Sequence, residues 1–200
     1  MNKKPYSSAI KKTAFRYPIT KKIAALMLNG NDRFEIETKC IDENYIEVES
    51  PAIRRQVVSV IYPRLCSLDD YLLNEFYYGD VDTSKFILVY AIAKTDPLFF
   101  EFMFEVYREA LVGDKNYFSQ DDFDAFFASK KENDPIVATW GDETIYCVSK
   151  GIKNVINESG LGSKEGRRIK ANHIMIHPAV IEHIELLGDR DYLKALLGVE

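Results

Sequence analysis

The sequence predicts a mainly α-helical protein with two helical lobes, the C-terminal one winged-helix-like with a small β element. Three observations support this fold class. Apolar residues recur at helical spacing through most of the 200 residues. Cap residues followed by proline, and glycines, mark where these segments begin and end. Strand-like alternation is clearest in residues 167–177. With 46% hydrophobic and 12% aromatic residues, the chain can bury a substantial core.

In the first half of the chain, capping chemistry sets the predicted helix ends. Ser50 is a good N-cap and Pro51 suits the first helical position, where its missing N–H costs nothing, whereas Pro63 is expected to kink the same helix. Residues 82–95 are nearly all apolar in the middle and should form the central buried helix, and the aromatic stripe that follows is expected in the core. The predicted helices cover residues 21–29, 33–41, 51 onwards, 69–78, 82–95 and 98–111.

The second half begins after residues 112–118, the best candidate linker, which divides the chain into domains at 1–115 and 116–200. Ser119 and Asp122 resemble a capping box at the start of a helix. Gly151, in the middle of the long helix, should cost about 1 kcal/mol relative to alanine. The predicted order is a helix from 120 to the break at 133–135, a helix at 142–159, a turn at 163–166, a strand at 167–177, and helices at 179–187 and 192–197.

Positive charge is concentrated in two segments of an acidic chain. Residues 1–22 contain seven lysines and arginines and no acid, although the formal net charge of the chain is −5. Clustered like charges cost free energy unless a partner neutralises them, so both segments favour contact with a polyanion. Solvated surface is the alternative, since Lys and Arg are mostly exposed. The cations are Lys3, Lys4, Lys11, Lys12, Arg16, Lys21 and Lys22 in the first cluster, and Lys150, Lys153, Lys164, Arg167, Arg168 and Lys170 in the second, opposed by Glu158 and Glu165.

The order of elements from Ser119 to His177 is that of a winged helix-turn-helix, whose longer helix enters the major groove of DNA. Helical spacing places Lys150, Lys153, Asn154 and Asn157 on the side of helix 142–159 opposite its apolar face. Asn can pair with adenine, and Lys contacts phosphate or guanine. The turn carrying Lys164, Arg167 and Arg168 would be the wing on the DNA backbone. Helix-and-hairpin units are often only structural, so the pattern alone leaves DNA contact open.

Other chemistry finds little support in the sequence. The cysteines Cys40, Cys66 and Cys147 form no CxxC pair, and His173, His177 and His183 fit a strand and a helix better than a zinc site. Motifs of nucleophilic, metalloprotease and phosphate-binding enzymes are missing, so we expect no catalysis, cofactor, metal or small-molecule substrate. The longest apolar run, residues 86–93, is too short for a membrane helix, and the basic N-terminus lacks a signal-peptide pattern, so a cytoplasmic protein is expected.

Several motifs resemble the BrxA family, the small helical component of BREX bacteriophage-exclusion systems. The most specific are residues 121–127, the sequence Val137-Ala138-Thr139-Trp140, and Asp142-Glu143-Thr144. Gly141 stands where the family usually has Ser, which weakens the expected helix cap. The resemblance extends over nearly the whole chain, with further matches at Tyr6-Ser7-Ser8, Asn44-Tyr45-Ile46, Arg64-Leu65, residues 88–94 and Glu101-Phe102-Met103.

The resemblance implies a two-lobed helical protein, with an N-terminal lobe partly similar to the RNA-binding antitermination factor NusB, that binds DNA without catalysis. Together with the charge clusters, it predicts an accessory protein of phage defence that binds double-stranded DNA through both basic segments. Two alternatives stay open at this point. The protein could be an assembly module that docks other BREX proteins, or an RNA-binding protein of the NusB type.

Overall fold

Helices form most of residues 5–199, the part of the chain that the computed structural model describes, which confirms the mainly α-helical fold. The helices are α1 Tyr17–Leu28, α2 Arg33–Glu37, α3 Pro51–Cys66, α4 Asp70–Tyr78, α5 Val81–Thr95, α6 Pro97–Phe102, α7 Arg108–Val112, α8 Gln120–Asn133, α9 Pro135–Ala138, α10 Asp142–Ser159, α11 Pro178–Leu186 and α12 Arg190–Leu197. The strands are β1 Tyr117–Phe118, β2 Gly162–Glu165 and β3 Arg168–Ala171.

Capping residues start the helices much as the sequence indicates. Ser50 accepts a hydrogen bond from the backbone N–H of Ile53 at 3.5 Å, and the Asp96 carboxylate accepts one from Phe99 at 3.1 Å. These side chains satisfy N–H groups that have no partner within the first helical turn. Helix α1 begins at Tyr17, a turn earlier than expected, because Pro18 fits the first turn of a helix.

Two helices continue as π-helix, in which each N–H bonds one residue further back than in an α-helix. The π segments are Thr38–Asp42, after α2, and Met103–Tyr107, between α6 and α7. The second interrupts the single helix expected over residues 98–111 and directs the Tyr107 side chain into the protein. Its buried hydroxyl donates to the Leu161 carbonyl oxygen at 2.8 Å and thereby ties this helix to the start of the hairpin β2–β3.

The three strands form an antiparallel sheet in the order β1-β3-β2. Three expectations need correction here. The end of the predicted linker pairs as strand β1, and residues 163–165 are strand, so the turn is confined to Gly166 and Arg167, where Gly166 has φ +61°. Strand β3 ends at Ala171, not at residue 177, because the chain leaves the sheet and the His177 N–H donates to Thr83 Oγ1 on α5 at 3.1 Å.

The core is centred on α5, which is buried over most of its length as predicted. Buried apolar side chains of residues 5–199 form one cluster that extends from Tyr6 to Leu196, with Val148, Ile152 and Ile156 contributed by α10. The division between residues 115 and 116 stays a prediction, since both segments contribute to this cluster.

Candidate nucleic-acid interface

Residues 5–16, which we call the N-terminal strap, lie across helix α10. The 3₁₀ turn Ala9–Lys11 packs against α10, and Ile10 is buried. The strap is anchored on α3 as well, where the buried Arg64 guanidinium donates to the carbonyl oxygens of Thr13 at 2.9 Å and Ala14 at 2.7 Å. Two segments that are far apart in sequence therefore meet along one helix.

An open cavity of about 610 Å³ lies where the strap meets α10. Lys11, Lys12 and Arg16 line it from the strap, and Lys150 and Asn154 line it from the helix. Glu158 and Cys147 also border it. The cavity brings together cations of both sequence clusters.

A second cavity of about 600 Å³ lies between α10, the start of α8 and the hairpin β2–β3. Among the described residues that line it, none is acidic. Lys150 and Asn154 border both cavities and form a ridge between them. The polar and basic residues around the second cavity are Ser119, Gln120, Lys150, Lys153, Asn154, Asn157, Lys164, Arg167 and Arg168.

The two cavities and their ridge form one surface, which we call the basic face. From residue 11 onwards, thirteen residues of the two clusters and of helix 142–159 are expected to contact DNA, and ten of them line this face. They are Lys11, Lys12, Arg16, Lys150, Lys153, Asn154, Asn157, Lys164, Arg167 and Arg168.

Two of these cations also contact other side chains. Lys153, expected to point outward, is half-buried: its ammonium lies 4.5 Å from the centre of the Phe123 ring and donates to Gln120 Oε1 at 2.6 Å. Burial lowers the pKa of Lys153. The Arg168 guanidinium lies 4.2 Å from the centre of the Tyr117 ring, an arrangement that fixes the cation and keeps its charge.

Three predicted contact residues lie outside the basic face. The Lys21 ammonium is half-buried at the end of α4, where it donates to the carbonyl oxygens of Phe76 and Tyr77, and burial lowers its pKa. Lys22 forms an ion pair with Glu47 at 2.7 Å. Lys170 lies on the central strand β3, paired in register with Tyr117 and Ser163. Lys3 and Lys4 precede the described residues.

Most cations of the basic face have no internal counter-ion. Within residues 5–199, no carboxylate forms an ion pair with Lys11, Lys12, Arg16, Lys150, Lys164 or Arg167. By contrast, Lys130 lies between Glu101 at 2.7 Å and Glu105 at 2.6 Å, away from this face. Unpaired cations that share one surface attract polyanions, because the partner supplies the missing negative charge.

Sequence analysis missed the role of Gly151, which it counted only as a cost to helix stability. A Cβ atom at this position would lie 2.6 Å from the Ile10 carbonyl oxygen, so the strap fits only against a glycine. A glycine within an otherwise favourable helix, on the border of its apolar face, was the available signal of close backbone packing.

The three histidines do not form a site. His183 contacts Asp69 Oδ2 at 2.6 Å, while His173 and His177 are exposed. Among residues 5–199, no three His, Cys, Asp or Glu side chains come close enough together to hold a metal ion. The same residues include no helix with the length and hydropathy of a membrane span.

Comparisons with known proteins identify the family. The family model described as BrxA matches residues 4–188. The chain belongs to the BrxA family. A BrxA relative from Bacillus cereus (strain H3081.97), named BREX protein BrxA, is 36% identical over 194 residues, which are 96% of each chain.

A solved structure shows the same fold. The crystal structure of an uncharacterized protein from Magnetospirillum magneticum superposes with a TM-score of 0.85 and covers 97% of this chain and 99% of its own. The two sequences are 16% identical, so the similarity concerns the fold alone.

Proposed function

We propose that this BrxA-family protein binds double-stranded DNA, largely through phosphates, as a non-enzymatic component of a BREX phage-defence system. One observation carries the proposal: two basic segments, separated by more than 120 residues in the sequence, line one surface of an acidic protein. Membership of the BrxA family supports the BREX assignment.

The shape of the basic face suits a duplex. Helix α10 lies between the strap and the hairpin and presents Lys150, Asn154 and Asn157. Asn157 lies seven positions after Lys150, which is about 10 Å along the helix. An α-helix with its side chains is about 10–12 Å across and fits the ~12 Å wide major groove of B-DNA. The strap on one side and the hairpin on the other would then contact phosphates, as a winged helix-turn-helix does.

Salt dependence is the physical signature of this mode of binding. Neutralising about six phosphates gives a slope of about −5 for log K against log salt concentration, because the condensed counter-ions are released. Between 50 and 200 mM salt the affinity should fall by about a thousandfold. Duplex RNA should bind more weakly, since its major groove is too narrow for a helix.

The test is a gel-shift titration with duplex DNA, single-stranded DNA and duplex RNA at two salt concentrations. The companion variant reverses four charges of the basic face through Lys150→Glu, Lys153→Glu, Arg167→Glu and Arg168→Glu, with circular dichroism as the check on folding. We expect preference for duplex DNA, a steep salt response and loss of binding in the variant. A flat salt response would contradict the proposal, and intact DNA binding with loss of a complex with other BREX proteins would favour the assembly module instead.

A further inference from the structure

The backbone of the N-terminal strap lies directly against α10 at Gly151. We propose that Gly151 is a positioning residue: the absence of a side chain there seats the strap on α10 and so completes the basic face with the strap's cations. The expected effect of Gly151 on DNA affinity rests on the proposed function, whereas the seating of the strap can be measured without DNA.

The contact leaves no room for a methyl group. A Cβ on residue 151 would lie 2.6 Å from the carbonyl oxygen of Ile10, 3.0 Å from its carbonyl carbon and 3.4 Å from the amide nitrogen of Lys11. All three are backbone atoms, so no side-chain rotation can relieve the overlap. Gly151 lies within a regular α-helix, where alanine is the favoured residue. Its small size, and not its backbone freedom, is therefore what this position requires.

The strap is fixed on both sides of this contact. Toward the N-terminus, the Tyr6 hydroxyl donates to Glu101 Oε2 at 2.5 Å. Toward the C-terminus, Arg64 holds the carbonyl oxygens of Thr13 and Ala14, and Phe15 is buried. A methyl group at residue 151 must therefore lift the middle of the strap, which carries Lys11.

Lifting the strap separates the cations of the first cavity. Lys11 and Lys12 lie on the part of the strap that is lifted, whereas Arg16 follows the anchored Phe15, and Lys150 and Asn154 stay on α10. If the two phosphate contacts of Lys11 and Lys12 are lost, the salt slope becomes shallower by about 1.8 and the affinity near 0.15 M salt falls about 30-fold. The hairpin and α10 would keep the remaining contacts.

The central experiment compares wild type with Gly151→Ala and with Gly141→Ser as the matched control. Gly141 lies at the N-cap of the same helix, and nothing stands within 4 Å of a Cβ there. Limited digestion with trypsin, which cleaves after Lys11 and Lys12, reports the seating of the strap without DNA. Faster cleavage at these bonds is expected in Gly151→Ala only.

DNA affinity is then measured in a double-mutant cycle. The double variant Lys11→Gln with Lys12→Gln is made with and without Gly151→Ala, and the salt slope is recorded for each. Because both changes remove the same contacts, the combined variant should bind no more weakly than either alone. Additive losses would overturn the proposal.

The outcomes separate this inference from the proposed function. Wild-type cleavage and wild-type affinity in Gly151→Ala would refute the positioning role while leaving DNA binding intact. Absence of DNA binding by wild type would refute the proposed function, and the digestion would still decide whether Gly151 seats the strap. Global unfolding of Gly151→Ala would also count against the proposal. The second measurement then uses Ile10→Ala, which removes a buried side-chain contact of the strap. If trypsin cleaves Ile10→Ala at the wild-type rate, the seating of the strap on α10 is refuted.

Discussion

The tip of the hairpin β2–β3 offers the sharpest test of the proposed DNA binding by the basic face. Lys164 and Arg167 flank the turn at Gly166 and are exposed, and their side chains have no ion-pair or hydrogen-bond partner among residues 5–199. Replacing both with Gln should change the free energy of unfolding by less than about 0.5 kcal/mol, as is usual for surface substitutions. The effect on DNA binding should be much larger if each residue neutralises one phosphate, as the proposed function requires.

The size of that effect follows from counter-ion release. Loss of two of about six contacts reduces the slope of log K against log salt from about −5 to about −3.6. At 0.15 M salt the same two contacts correspond to an affinity loss of about 30-fold. Both values assume that the duplex reaches the hairpin and that the other contacts are kept.

Fluorescence anisotropy with a labelled 20-base-pair duplex, titrated from 50 to 300 mM KCl, measures slope and affinity together. The control variant Lys22→Gln with Lys115→Gln removes two positive charges outside the basic face and should leave the slope unchanged. If the hairpin variant keeps the wild-type slope, or if the control loses as much, the basic face is not the DNA-binding surface.

Three further predictions use single residues. Bound duplex should protect Cys147, which borders the first cavity, from alkylation by iodoacetamide and leave the exposed Cys66 reactive; mass spectrometry of the labelled peptides measures both. Arg16 has φ +51°, a strained left-handed conformation, so Arg16→Gly should raise the free energy of unfolding by about 0.5–1 kcal/mol in urea titrations while weakening DNA binding. Burial alone would lower the pKa of Lys130, but hydrogen bonds to the Glu101 and Glu105 carboxylates raise it above the usual 10.5. The contribution of Lys130 to folding stability is therefore complete below pH 10.5 and is lost as the pH rises through the higher pKa of the folded state. In urea titrations, the free energy of unfolding of wild type should therefore fall more steeply above that pH than that of Lys130→Met.

Local structure could be predicted from the sequence wherever a capping residue or a helical repeat determines it. Helix α10 has the predicted bounds because its apolar face, its start after Gly141 and its stop at Gly160 all agree. The start at Pro51 follows from the preceding Ser50 in the same way. The π segment at Met103–Tyr107 was not predictable, since a shift of one hydrogen bond leaves no clear mark on an aromatic-rich pattern.

The features that the sequence did not predict depend on contacts between residues far apart in the chain. Strand β1 exists only because β3 pairs with it, so its two residues looked like part of a linker. The charge pattern found the basic face but could not separate Lys12, which lines it, from Lys21, whose ammonium turns toward the end of α4. That difference depends on the direction of one side chain in the folded protein, which sequence spacing does not encode.

The seat of the strap on α10 also sets when the basic face can be completed during synthesis. Residues 6–12 leave the ribosome early, yet their seat on α10 is made from residues translated about 140 positions later. Chains fold as they emerge, so the strap cannot be seated until α10 has been made, and α10 ends at Ser159 of the 200 residues. An incomplete chain therefore carries its first positive charges without the companion helix, and the two cation clusters come together only late in translation.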